Sequence, residues 1–150
     1  MSERTFIMLK PEVLMRSLVG EVLSRIEKKG LKIVGLKLIQ LSQDDASRLY
    51  EAHRERPFYN PLIEHVTSGP VVVVVVEGPN AVEAIRGLIG ATDPLQASPG
   101  TIRGDLALIA RKNVIHAADN LESAKREMNI FFSKEDLVEY EKPVDRGFIV

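Results

Sequence analysis

Apolar residues follow two rhythms along this chain, one suited to strands and one to helices. Residues 71–76 are six consecutive valines. A β-branched run without alternation predicts a central strand buried on both faces. The run at 5–9 (Thr5, Phe6, Ile7, Met8, Leu9) predicts a second buried strand, ended by Lys10 and Pro11. Partial alternation of Ile33, Val34, Leu36 and Leu38 predicts a strand over 31–38, and the apolar stretch at 106–110 predicts a fourth. Elsewhere the spacing is helical. Leu18, Val19, Val22, Leu23 and Ile26 recur on one side of a helix that Gly30 stops. Ser42 with Asp45 resembles a capping box opening a helix that carries Leu49 and Tyr50. Short helices follow over 60–67 and 80–88, the latter with Val82, Ile85, Leu88 and Ile89 on one side. Asn120 caps a helix running to Met128, and Ser133 with Asp136 caps a last one.

With the extra short helices set aside, the order is β-α-β-β-α-β. That is the plan of a ferredoxin-like sandwich, an α/β (α+β) fold in which helices cover a four-stranded, mostly antiparallel sheet. Residues 1–150 show no repeat, linker or low-complexity tract and read as a single domain with a C-terminal tail. The one long segment without clear periodicity inside the fold is 90–104, rich in Gly, Pro, Ser and Thr. Loops of that length are commonly functional.

Composition narrows the function classes. A hydrophobic content of 45% with 27% charged residues is that of a globular protein. The formal net charge of -1 leaves no basic field over the whole molecule, which argues against a general nucleic-acid or membrane-surface binder. The absence of cysteine removes disulfides and thiolate metal sites. Met1-Ser2-Glu3-Arg4 leads directly into a strand-like run, so no targeting segment is expected. The longest apolar run is far too short to span a bilayer. A cytoplasmic location is the expectation.

Candidate chemistry sits where elements give way to loops. Only three histidines occur, and His116 lies in Asn113-Val114-Ile115-His116-Ala117-Ala118-Asp119, after an apolar stretch and before a helix start. Two readings of such a residue are open: a partly buried structural histidine, or a nucleophile or proton shuttle. Lys10 follows the first strand, Arg86 lies on the helix before the long loop, and Thr92 and Arg103 lie within that loop. Each cation alone reads as a solvated surface charge. Gathered with Asn113 and His116, they would suit a polyphosphate. Neither G-x-x-x-x-G-K-[ST] nor G-x-G-x-x-G is present, so such a site would use side chains rather than a glycine-rich cradle.

Several stretches together resemble nucleoside diphosphate kinases over essentially the whole chain. They include Arg4-Thr5-Phe6-Ile7 through Lys10-Pro11, Leu18-Val19-Gly20-Glu21, Arg56-Pro57-Phe58, Ser68-Gly69-Pro70-Val71 and Pro99-Gly100-Thr101-Ile102-Arg103-Gly104-Asp105. To these is added Asn113-Val114-Ile115-His116 followed by Asp119. The resemblance implies that His116 is a nucleophile carrying a phosphoryl group in ping-pong catalysis between a nucleoside triphosphate (ATP, GTP and others) and a diphosphate. It implies that Glu127 orients His116, and that Lys10, Arg86, Thr92 and Arg103 contact phosphates. It implies further that Lys10 and Asn113 reach the ribose hydroxyls, that the Tyr50 hydroxyl lies near the histidine, and that Phe58 stacks on the base with Leu62 beside it. Mg²⁺ is implied, carried by the nucleotide phosphates rather than by protein ligands. His53 and His65 match no functional position.

The chain departs from the family pattern in two places. Ala118 stands where the family usually has a serine that bonds the carboxylate matching Glu127. Losing that partner costs about 1–3 kcal/mol unless another donor replaces it. Glu12-Val13-Leu14 stands where an acidic-Gly pair is common, a change assigned to a turn. The resemblance also implies a homo-oligomer, here a hexamer. The loop from 94 to 100 would lie at a three-fold contact, and the apolar end Gly147-Phe148-Ile149-Val150 would be buried against a neighbour. The rival reading is a nucleotide-binding regulatory module of the same fold with weak or no turnover. An RNA reader is disfavoured because the strands are aliphatic. No membrane and no obligatory nucleic-acid partner is expected.

Overall fold

Burial on both faces accounts for the valine run. In the computed structural model, which describes residues 2–143 and Gly147, Val71 and Val73 to Val76 are fully buried and Val72 is nearly so. The apolar end Phe148-Ile149-Val150, expected to meet a neighbour, lies outside the described residues. The valines alternate between two cores. Val72, Val74 and Val76 join Ile7, Leu9, Val22, Ile26, Ile85 and Ile89 on one side. Val71, Val73 and Val75 join Phe6, Met8, Ala46, Leu49, Ile63, Val66 and Phe131 on the other. Removing one valine side chain from water stabilises the fold by about 2 kcal/mol.

The first strand, β1, is Ser2–Leu9. Two helices follow, α1 at Pro11–Met15 and α2 at Val19–Lys29, and then β2 at Lys32–Gln40. Gly30 ends α2 with φ +107°, a left-handed conformation that glycine adopts without a Cβ penalty. Helices α3 (Gln43–Leu49) and α4 (Tyr59–Val66) lead to β3 (Pro70–Pro79), and α5 spans Ala81–Ile89. The chain closes with α6 (Ile102–Leu106), β4 (Ile115–Ala117) and α7 (Leu121–Phe131). The four strands are ordered β2-β3-β1-β4, and every pairing is antiparallel. This is the α+β, ferredoxin-like arrangement, with α2 and α5 on one face and α3, α4 and α7 on the other. Among the described residues no helix is long and apolar enough to cross a membrane.

Caps form at all three expected places, although at Ser42 only the N-cap half of the expected box is made. Ser42 Oγ accepts from the Asp45 N–H, Asn120 Oδ1 accepts from the Ser123 N–H, and Ser133 with Asp136 forms a reciprocal box at a 3₁₀ turn. The fourth strand is corrected. Residues 106–110 form no strand: Leu106 ends α6, and Ala110 opens a 3₁₀ turn. Leu108 is 82% exposed and Ile109 54%. The edge of β1 that these residues would have joined is occupied by β4, in the register Ile7↔Ala117, Met8↔His116 and Leu9↔Ile115. His116 therefore lies within the last strand, not beyond it. The long loop is also partly ordered into helix, by a turn at Pro94–Gln96 and by α6, which Thr101 caps on the Gly104 N–H.

Candidate active site

β1 and β4 are antiparallel, so the end of one meets the start of the other. Lys10, just after β1, donates its backbone N–H to the Val114 carbonyl at 2.9 Å, and its Nζ donates to Asn113 Oδ1 at 2.7 Å. The Asn113 amide donates onward to the Thr92 carbonyl at 3.0 Å, tying in the loop after α5. Arg103 reaches the same place from α6. Its Nε donates to the Asn113 carbonyl (3.3 Å), Nη1 to the Gly90 carbonyl (3.1 Å) and Nη2 to the Ile115 carbonyl (2.6 Å). One guanidinium thus binds three backbone carbonyls, tying the end of α5 to the segment that enters β4. Gly90 has φ +87°, and a Cβ there would meet Thr101 Oγ1 at 2.5 Å, so a larger residue would push this carbonyl away from Arg103.

Burial sets the charges. Lys10, Arg103 and Asn113 are each no more than 5% exposed. Burial pushes the Lys10 ammonium down to about 8, with Arg103 adding to the effect and Glu12 opposing it. Burial and the nearby Arg86 push Arg103 down to about 10. Two buried cations with part of their hydration removed favour an anion that would relieve both. Arg86, more exposed, pairs with Asp119 at 3.1 Å.

His116 sits on the α7 side of the sheet. Its Nε2 lies 2.6 Å from Glu127 Oε1, on a carboxylate 5% exposed. This contact fixes the ring and turns Nδ1 to the open side. The second oxygen of Glu127 faces Arg126 Nη2 at 3.8 Å. Ala118 packs into a small apolar cluster with Val82 and Ala124, where a serine hydroxyl is absent. The Tyr50 ring stands edge-on to His116, centroids 5.3 Å apart, and its buried hydroxyl has no hydrogen-bond partner among the described residues. Burial, reinforced by the charge on Glu127, raises the phenol well above its ordinary range.

A single cavity of about 490 Å³ is lined by Lys10, Tyr50, Phe58, Leu62, Arg86, Thr92, Arg103, Asn113 and His116. Every residue expected at the site lines it except Glu127, which stands behind the histidine. Sequence reasoning missed His53, Ala110 and Arg111, which also line the cavity. His53 lies 5.3 Å from the Phe58 ring, and its place three residues after Tyr50 was the available signal. His65 and Glu12 were also passed over, although they bond one another at 2.7 Å.

The turn feeding β4 is strained. Val114 has φ +77°, and the Ile115 N–H donates back to the Asn113 carbonyl at 2.8 Å, closing a γ-turn. A β-branched residue held there costs on the order of 1–3 kcal/mol.

The site can cradle a polyanion against a fixed imidazole. It offers little to a bare metal ion: the cavity has one carboxylate, Asp119, and among the described residues no group of three acidic, His or Cys side chains could hold one.

Comparison with known proteins points to one family. The family model described as nucleoside diphosphate kinase matches residues 3–137. A nucleoside diphosphate kinase from Kosmotoga olearia is 51% identical over 146 residues, covering 97% of this chain and 99% of that protein. One from Ignicoccus hospitalis is 57% identical over 137 residues, covering 91% and 93%. Among solved structures, a halophilic nucleoside diphosphate kinase from Halobacterium salinarum in complex with CDP superposes with a TM-score of 0.95 at 39% identity, covering 97% of both chains.

Proposed function

The chain belongs to the nucleoside diphosphate kinase family, enzymes that move the γ-phosphoryl group of a nucleoside triphosphate to a nucleoside diphosphate; from that premise we propose that His116 carries the group between the two nucleotides. The observation that supports this reading is the imidazole anchored through Nε2 to Glu127, with Nδ1 open to a cavity walled by Lys10, Arg86 and Arg103.

The steps follow from that arrangement. Nδ1 attacks the γ-phosphorus, an N–P bond forms, the bond to the β–γ bridging oxygen breaks, and the diphosphate leaves with that electron pair. A second diphosphate then takes the group by the reverse step, freeing the ring. The Nε2 proton stays on the Glu127 side, so the attacking lone pair is available and the charge gained by the ring is offset. Lys10, Arg86, Arg103 and the Thr92 hydroxyl balance the charge spread over the transferring oxygens and hold phosphorus in line with Nδ1. Lys10 and Asn113 also meet the ribose hydroxyls, Phe58 and Leu62 receive the base, and Tyr50 packs the far side of the histidine. Stacking uses the face common to all bases, so purine and pyrimidine nucleotides both fit.

A divalent ion is part of this reading, and we assign Mg²⁺. Carried on the nucleotide's phosphates, with Asp119 the one cavity carboxylate that would help hold it, it would supply neutralisation of phosphate charge. The chain acts as one domain, in the cytoplasm, and as a homo-oligomer, here a hexamer. Leu95 (79% exposed) in the long loop and Leu108 (82%) are apolar surface that burial against further copies would cover. Light scattering at micromolar concentration measures that state, and a monomer would refute it.

The deciding experiment is labelling with γ-labelled ATP. We expect an acid-labile, base-stable phosphoprotein that surrenders its label to UDP, and none on His116→Ala. A nucleotide-binding module without turnover would bind ATP and gain no label.

A further inference from the structure

The strained turn before β4 is held by a pair of residues outside the cavity. Glu12, in the first turn of α1, places Oε2 where it accepts the Val114 N–H at 3.0 Å. Its other oxygen, Oε1, is held by His65 Nε2 on α4 at 2.7 Å. The two side chains are only 10% and 16% exposed. Burial opposes ionisation of Glu12, yet the hydrogen bonds from His65 and from backbone N–H groups hold its carboxyl below the ordinary carboxylate range.

Val114 is the junction of the site. On one side Asn113 presents its amide to Lys10 Nζ and Thr92; on the other β4 begins, with His116 two residues on. A β-branched residue at positive φ persists only where its surroundings over-determine it. The Val114 carbonyl is held by the Lys10 N–H, and the Asn113 carbonyl by the Ile115 N–H and Arg103. The Val114 N–H is held by Glu12.

We propose that Glu12, braced by His65, is a positioning residue for phosphoryl transfer: its carboxylate pins the Val114 turn that aims Asn113 at Lys10 and sets His116 in line. This inference rests on the role given to His116 above. Neither Glu12 nor His65 lines the cavity, so neither touches the nucleotide. The role demands an acceptor at both oxygens. A glutamine at 12 offers one oxygen and one NH₂, so it keeps the Val114 bond only by turning its NH₂ to His65, which must then move its proton to Nδ1 and exchange a charge-assisted bond for a neutral one.

The test is rapid-quench measurement of phosphoenzyme formation with γ-labelled ATP and Mg²⁺ on the full chain, reading rate constant and amplitude separately. A merely structural role lowers the amplitude, as fewer chains are folded, and leaves the rate constant alone. The positioning role keeps the amplitude and slows Glu12→Gln by roughly 10–100-fold. His65→Leu attacks the same carboxylate from its far side and leaves the Val114 bond in place, so it reports even where Glu12→Gln fails to fold. It is expected to be slow at full amplitude. His65→Gln, whose amide can donate from the position of Nε2, is expected to recover most of the rate.

Wild-type rate constants in Glu12→Gln and His65→Leu would overturn the proposal, as would equal rates in His65→Leu and His65→Gln. His116→Ala run alongside separates the two assignments. Label on that variant would sink the role of His116; no label there, with an unaltered rate in Glu12→Gln, would sink only the role of Glu12.

Discussion

The inner and outer ends of the cavity are built differently. At the inner end Lys10, Arg103 and Asn113 are at most 5% exposed, and each is fixed by hydrogen bonds to side chains or carbonyls from distant segments. At the outer end Phe58 is 49% exposed, and its neighbour His53 and the cavity-lining Arg111 are exposed as well. Rigid, desolvated groups stand where the reacting phosphates are proposed to lie, and these are the same in every nucleotide. Loose, open groups stand where the base is proposed to lie, and bases differ. Pre-organisation is concentrated where charge moves and relaxed where variety must be accepted.

The largest break in that contrast is expected at Arg103. Arg103→Lys keeps the charge and loses the three-way fork, so kcat should drop by about 10²–10³-fold with a smaller change in KM, read by steady-state kinetics. A drop confined to KM would place Arg103 with the binding groups of the outer end.

Lys10 gives a proton-linked effect of intermediate size. Its ammonium is held to about 8, against 10.5 in an ordinary lysine, so it is charged below about pH 8 and loses its charge above. Nucleotide affinity should weaken by up to about tenfold per pH unit above that point. Stability moves the other way. Between pH 8 and 10.5 the unfolded chain holds a proton that the folded chain has released, so the penalty of burying Lys10 fades as pH rises. Bound phosphate pulls the proton back. Calorimetry near pH 8 in buffers of different ionisation enthalpy should show proton uptake on binding, and none in Lys10→Met.

The smallest effect belongs to the outer end. Phe58→Ala should raise KM about fivefold, near the lower limit of base stacking, and alike for purine and pyrimidine substrates. A penalty confined to one base class would turn the outer end into a reader of base identity.

These differences also mark what could be read from the chain. The valine strand was readable because six β-branched residues leave no polar face. The caps at Ser42, Asn120 and Ser133 were readable because a cap is a local bond. β4 was not: Ile115–Ala117 is three residues long, and the more apolar stretch at 106–110 displayed a stronger pattern while facing solvent. Lys10, Arg86, Arg103 and His116 could be gathered only through family resemblance, since no periodicity reports a contact between positions as far apart as 10 and 113. The Glu12 and His65 pair had neither aid. Its bond spans 53 positions, and His65 alone on a short helix looks like any half-buried histidine.

The order of strands has a consequence for synthesis. Val71 to Val76 is the most aggregation-prone stretch of the chain, uncharged and rich in β-branched residues. Both of its sheet partners, β1 and β2, precede it in the chain. When the valines emerge from the ribosome, the two edges that will shield them have already been made, and the sticky segment never waits for a partner still to be translated.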